Sequence, residues 1–230
     1  MYGIWKLSEA GELTGLSGIE PGRLLTFKPY GLGGVGRLGG ESTAALYTGG
    51  LDIKYGLRPN LIAHVTVNTD FADTDVDQQQ FNLTPYRIFF PGKRRFFLEN
   101  SDVFQFQTWY QDSIFFSRQI GIDPETGQEV PIDAGAKLAG KLGGFELGLM
   151  DVKTRARGPN PYANYAVARV KRPLLGNSYL GFMYVDKQSG STEEPFNRAG
   201  GLDGKFVLFK NLTLSGYYVK TRSPHLHGKD

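Results

Sequence analysis

Apolar and polar residues alternate along most of this chain with a period of two. Ala45, Tyr47, Leu51, Ile53, Tyr55 and Leu57 share one parity, while Asp52 and Lys54 share the other. Successive side chains of a strand point to opposite faces, so this spacing predicts a two-faced strand. Arg58-Pro59-Asn60 is a turn signal, and Leu61, Ala63, Val65 and Val67 carry the apolar parity onward. A loop over those turn residues sets Leu57 opposite Leu61, Tyr55 opposite Ala63 and Ile53 opposite Val65, with every apolar side chain on one surface. The pattern returns at Ala134. There Ala134, Ala136, Leu138 and Leu142 alternate with Lys137 and Lys141, Gly143-Gly144 turns the chain, and Phe145, Leu147 and Leu149 come back. This register puts Leu142 against Phe145 and Leu138 against Leu149. On the other face it puts Lys141 against Glu146, a cross-strand pair worth about 0.2–1 kcal/mol.

The same reading extends over the rest of the chain. Arg23–Tyr30 predicts a strand ending at Pro29, followed by a flexible loop over GLGGVGRLGG, residues 31–40. Residues 75–90 predict a long strand in which Pro85 demands a bulge or an edge. Phe96–Leu98 and Val103–Phe116 read as further strands, the second dense in aromatics that suit a lipid-facing surface or an interfacial girdle. Residues 121–131 form a polar loop. Tyr162–Lys171 pairs with Ser178–Lys187, and Leu202–Phe209 with Leu212–Val219. No segment sustains a helical period. The expectation is a single all-β domain over residues 1–230, an antiparallel up-and-down meander of about ten to twelve strands.

A meander this long must manage its edges, and closure into a barrel removes them. Several predicted strands reach the length that crosses a bilayer when tilted, and short turns alternate with longer polar loops. The polar parity carries Asp52, Lys54, Lys137, Lys141, Glu146, Arg169, Lys171, Asp203 and Lys205. A water-filled lumen accepts such a face; a tightly packed barrel interior does not. The pattern therefore predicts an outer-membrane-type β-barrel, partial or truncated, with membrane lipid as its partner. The competing reading is a soluble β-sandwich or twisted sheet that binds or acts on carbohydrate.

Composition narrows the choice. The chain has 31 Gly, 12 Tyr and 16 Phe but no Cys, which excludes a disulfide framework and a thiolate metal site. A net charge of +3 gives no footprint for nucleic acid. The opening MYGIWKLSEAG lacks the basic and apolar regions of a signal peptide, so an exported protein would need a start this chain does not carry.

Four carboxylates, Asp70, Asp73, Asp75 and Asp77, fall within eight residues and could supply oxygen ligands to a hard cation such as calcium, although the spacing is not an EF-hand and an acidic rim in water explains them as well. Lys93, Arg94 and Arg95 form a short basic run suited to phosphate, lipid headgroups or an acidic glycan, or to pairing with nearby acids. Trp109 could offer a stacking platform for a sugar. No order of Ser, His and Asp supports a catalytic triad, and no cofactor motif is present; the single Gly-x-Gly lacks its strand and helix context.

The segment from Gly50 to Asn100 resembles a bacterial family of unknown function. The resemblance rests on Gly50–Leu57 (GLDIKYGL), Asn68–Phe71 (NTDF), Asp77 with Asn82–Thr84, and Phe89–Glu99 (FFPGKRRFFLE). Further matches are Phe116-Ser117-Arg118, Gly135–Leu138 and Ala168–Arg172. Residues 68–100 form the signature, and Arg95 stands where the family usually has Pro. Members carry a family-9-like carbohydrate-binding module ahead of an outer-membrane-type β-barrel. The resemblance thus implies a barrel segment in the bacterial outer membrane with a transport, anchoring or surface-display role. It also implies a link to polysaccharide or oligosaccharide through a module outside this chain.

Overall fold

The computed structural model describes residue 15 and residues 24–36, 44–69, 94–106, 113–123, 129–158, 160–174, 177–209 and 212–224. Among them are nine strands: β1 (Leu25–Gly36), β2 (Ala44–Arg58), β3 (Leu61–Val67), β4 (Ile132–Leu142), β5 (Phe145–Thr154), β6 (Ala163–Pro173), β7 (Tyr179–Ser189), β8 (Phe196–Leu208) and β9 (Leu212–Arg222). They form one antiparallel sheet in sequence order, each strand bonded to the next. The fold is an all-β up-and-down meander. Among the described residues β1 and β9 do not pair with each other, so the sheet is open.

The hairpin at Gly143-Gly144 has the expected register, with Leu142 opposite Phe145, Leu138 opposite Leu149 and Lys141 opposite Glu146. The earlier hairpin keeps Tyr55 opposite Ala63 and Ile53 opposite Val65. It corrects the turn: Arg58, not Leu57, opposes Leu61, because a bulge between Gly56 and Arg58 absorbs one residue. The glycine-rich stretch 31–36 is strand rather than loop. Its backbone pairs with Ala44–Gly49 of β2, and Pro29 is tolerated because β1 is an edge strand.

A larger correction concerns residues 96–116. No strand forms in the described part of that stretch. Arg95–Leu98 is a single helical turn, α1, and Ser101–Phe104 and Ser117–Gln119 are 3₁₀ turns. Phe104, Phe106 and Phe115 are buried rather than lipid-facing. Their neighbours are one another and the sheet, so packing against a preformed wall overrides the strand propensity of the aromatics. The predicted strand at 75–90 lies outside the described residues.

The two faces of the sheet invert the usual arrangement of a soluble domain. The apolar parity is exposed: Phe182 is 44% exposed, Leu202 51%, Leu214 52% and Tyr218 67%. The polar parity is covered: Lys137, Arg169 and Asp203 are 5%, 1% and 1% exposed. The ends differ as well. β2, β4, β6 and β8 each lead into the next strand through a short connection at one end; β3 leaves the sheet at the other end, and the described parts of its connection to β4, residues 94–106 and 113–123, pack on the covered face.

The exposed apolar band does not follow the hydrogen-bond rows. On β3 Leu61 is buried and the outward members are Ala63, Val65 and Val67, centred at Val65. Register carries Val65 through Ala136, Asp151, Ala166, Asp186 and Arg198 to Arg222 on β9. The band on β9, Leu212 to Tyr218, is centred at Ser215, seven residues from Arg222. A slip of seven residues over six strand spacings, at about 3.3 Å per residue and about 4.8 Å per spacing, slants the band about 40° to the rows.

Candidate functional site

The covered face carries a plug. Residues 94–106 and 113–123 leave the wall after β3 and lie back across it. The segment is built locally by α1, in which Leu98 N–H donates to Arg94 O at 3.1 Å and Glu99 N–H to Arg95 O at 3.1 Å. Asn100 then takes a left-handed conformation, φ +53°, which Asn tolerates better than most residues, and the chain enters the 3₁₀ turn. Phe96 and Phe97 meet edge to face at 5.0 Å, and Phe104 meets Phe115 at 6.3 Å. With Val103, Phe106 and Ile120 they form one buried cluster with Met150, Val152, Val167, Met183 and Val185 of the wall.

Three wall glycines seat three plug phenylalanines. A Cβ on Gly135 of β4 would lie 3.1 Å from Phe96, one on Gly148 of β5 would lie 2.9 Å from Phe104 and Val103, and one on Gly201 of β8 would lie 3.0 Å from Phe106. A Cβ at Gly148 would force Val103 and Phe104 to shift, one at Gly135 or Gly201 would press the ring back by a few tenths of an ångström, and at Gly201 it would also meet Tyr218 O at 2.7 Å. Phe106 also reaches Tyr217 of β9, with ring centroids 6.2 Å apart. The plug therefore crosses the face from β3 to β9.

A charged clasp fixes one end. Lys137 Nζ donates to Phe96 O and, at 2.7 Å, to Glu99 O, and sits 5.0 Å from the Phe96 ring. Lys54 Nζ meets Glu99 Oε1 at 2.5 Å. Buried His64 lies edge-on to Phe96 at 4.9 Å, with Nε2 3.9 Å from Asp52 Oδ1. The clasp thus draws on β2, β3 and β4 together.

Arg94 is buried inside the plug. Its guanidinium lies 4.5 Å over the Phe97 ring and donates to Ile120 O. Burial pulls its pKa down to about 9, against an upward pull from Glu129, so the group stays charged at neutral pH. Gly121, φ +76°, passes so close that a Cβ there would sit 2.8 Å from Arg94 Nη1.

Toward the short-turn end the covered face turns ionic. Arg169 of β6 and Asp203 of β8 join through two bonds of 2.5 and 2.8 Å, reaching over β7 at Gly181. A Cβ on Gly181 would lie 2.5 Å from both groups. Tyr179 O–H donates to Asp203 Oδ2 at 3.3 Å, and Lys171 pairs with Glu146 at 2.7 Å, a closer engagement for Glu146 than its cross-strand neighbour Lys141 provides.

Residues 21–141, just over half of the 230, match the family model described as Domain of unknown function (DUF5916). The chain belongs to the DUF5916 family. No curated protein and no solved structure matches the chain. The matched DUF5916 stretch contains the described plug and every clasp residue: Lys54, His64, Glu99 and Lys137.

Of the residues singled out from the DUF5916 sequence, Arg94 is buried in the plug and Arg95 is exposed beside it. Lys93, Trp109, Asp70, Asp73, Asp75 and Asp77 lie outside the described residues. Among the described residues no group of three acidic or imidazole side chains is placed to hold a metal. Sequence reasoning missed the clasp and the glycine seats. The available signal was glycine at the polar parity of otherwise well-formed strands, which marks close approach of another segment.

Proposed function

We propose that this chain is a wall segment of an outer-membrane β-barrel, with lipid against its apolar face and the lumen on its polar face. Its role is transport, anchoring or surface display. The slanted apolar band carries this reading: its tilt of about 40° falls in the range of about 35–45° for strands of membrane barrels. A soluble sheet has no reason to tilt a stripe of exposed leucine, phenylalanine and tyrosine in this way. Charged residues follow the band along the same face, Asp151 on β5, Asp186 on β7, Arg198 on β8 and Lys220 on β9, and an ion pair of 3.1 Å joins Arg198 to Asp186. Tyr184 stands next to Asp186 on the same face of β7, and Tyr218 ends the band on β9 before Lys220, as interfacial aromatics do. Short turns after β2, β4, β6 and β8 at one end, and longer connections after β1, β5 and β7 at the other, fit periplasmic turns and extracellular loops. The link to carbohydrate handling rests on the ordered family motifs of the sequence.

The test is electrophoretic mobility of the refolded chain in detergent, with and without boiling. A heat-modifiable band with strand-rich circular dichroism supports the reading. A monomer that folds in water without detergent overturns it and favours a soluble carbohydrate-binding domain.

A further inference from the structure

The inward segment has a consequence for transport. An open conduit needs a lumen free of protein, and here the middle of the polar face is taken up by residues 94–106 and 113–123. We infer that this segment is a built-in plug that holds the conduit closed, and that the Lys54–Glu99–Lys137 clasp is the contact whose release opens it. The inference rests on the barrel reading above and adds its regulation.

Three observations carry it. First, the wall is shaped for the plug: Gly135, Gly148 and Gly201, on three different strands, are the only residue type that seats Phe96, Phe104 and Phe106 at these distances. A chance contact would not find a glycine under each ring. Second, the plug spans the wall from His64 on β3 to Tyr217 on β9, a width of about 29 Å at about 4.8 Å per strand. Third, the two kinds of hold differ. The phenylalanines are buried and apolar, whereas Glu99 keeps a side-chain exposure of 41% and Lys54 22%. The clasp is thus the part that ionic strength or a competing charged ligand reaches. On its short-turn side Lys141, Glu146, Lys171 and Lys205 line a charged vestibule of the same face.

The test measures ion conductance of the full chain in planar bilayers, with insertion read separately by heat-modifiable mobility. The wild type stays closed. Glu99→Gln with Lys137→Met raises the open fraction about tenfold or more, because each lost bond to a charged group shifts an equilibrium by about that factor. The chain has no cysteine, so Val103→Cys with Gly148→Cys adds one disulfide between plug and wall. Oxidation of that pair on the Glu99→Gln, Lys137→Met background closes the channel again, and reduction reopens it. This reversal separates plug release from general unfolding. A wild type that conducts freely, or clasp variants that insert but stay closed, overturns the plug and leaves the barrel standing. Failure of every form to insert overturns both.

Discussion

The Arg169–Asp203 pair gives the sharpest stability prediction. Both side chains are essentially sealed, at 1% and 0% exposure, and the charges bridge two strand spacings above Gly181. Two unit charges about 4 Å apart at an effective dielectric of about 20 attract by about 4 kcal/mol. Asp203→Ala removes that attraction and strands a guanidinium in the wall, which costs about 3–5 kcal/mol when one partner of a buried pair is lost. The assay is reversible urea unfolding of the refolded chain. At a slope of about 2 kcal/mol per M the midpoint falls by about 2 M. Arg169→Met with Asp203→Leu removes both charges and restores most of the loss, since apolar replacements of buried pairs are neutral or stabilising. A cost below about 1 kcal/mol for Asp203→Ala would match an exposed pair. It would show that water reaches this row and that the plug does not seal it.

Four further outcomes follow from the same geometry. Gly148→Val overpacks Val103 and Phe104 and destabilises by about 1–3 kcal/mol, whereas Gly216→Val, with nothing within 4 Å of its Cβ, changes stability by less than about 0.5 kcal/mol; equal effects in urea melts would refute the seat. Phe96→Ala empties the ring position over Gly135 and costs about 3–5 kcal/mol, read by the same melts. Gly140→Ala meets Asn60 O at 1.9 Å from a backbone with φ +146°, so strain of about 1–3 kcal/mol is expected in thermal unfolding. Phe182→Lys, on the exposed face, lowers the stability of the bilayer-folded chain by about 2–4 kcal/mol; a gain in stability would contradict lipid contact at that face.

The strands were legible because two-fold alternation is a local signal. Ala134 to Leu149 fixes its own register through a two-glycine turn, and β6 to β9 follow the same logic. The bulge at Leu57 was not legible, since the turn residues around Pro59 allow more than one loop length. The glycines at 31–36 read as a loop because they lack side chains to alternate; pairing with β2 decides their conformation instead. The plug escaped for a deeper reason. Phe96, Phe97 and Phe104 have strand propensity, and only the wall they pack on makes them helical turns. Lys137 likewise reads as a solvated or lumenal charge until the carbonyls of Phe96 and Glu99 are brought over it. Arg94 looked like one of three equivalent basic residues, yet its neighbour Arg95 is exposed while Arg94 lies under Phe97.

The central claim is that one face of this sheet meets lipid and the other does not. Strand β7 tests it residue by residue. The chain has no cysteine, so single cysteines at Leu180, Phe182 and Tyr184, and at Gly181, Met183 and Val185, can each carry a small fluorophore in vesicles of brominated lipid. Quenching should alternate, strong at Leu180, Phe182 and Tyr184 and weak at the three positions between them. Uniform weak quenching, or the opposite alternation, would contradict the account.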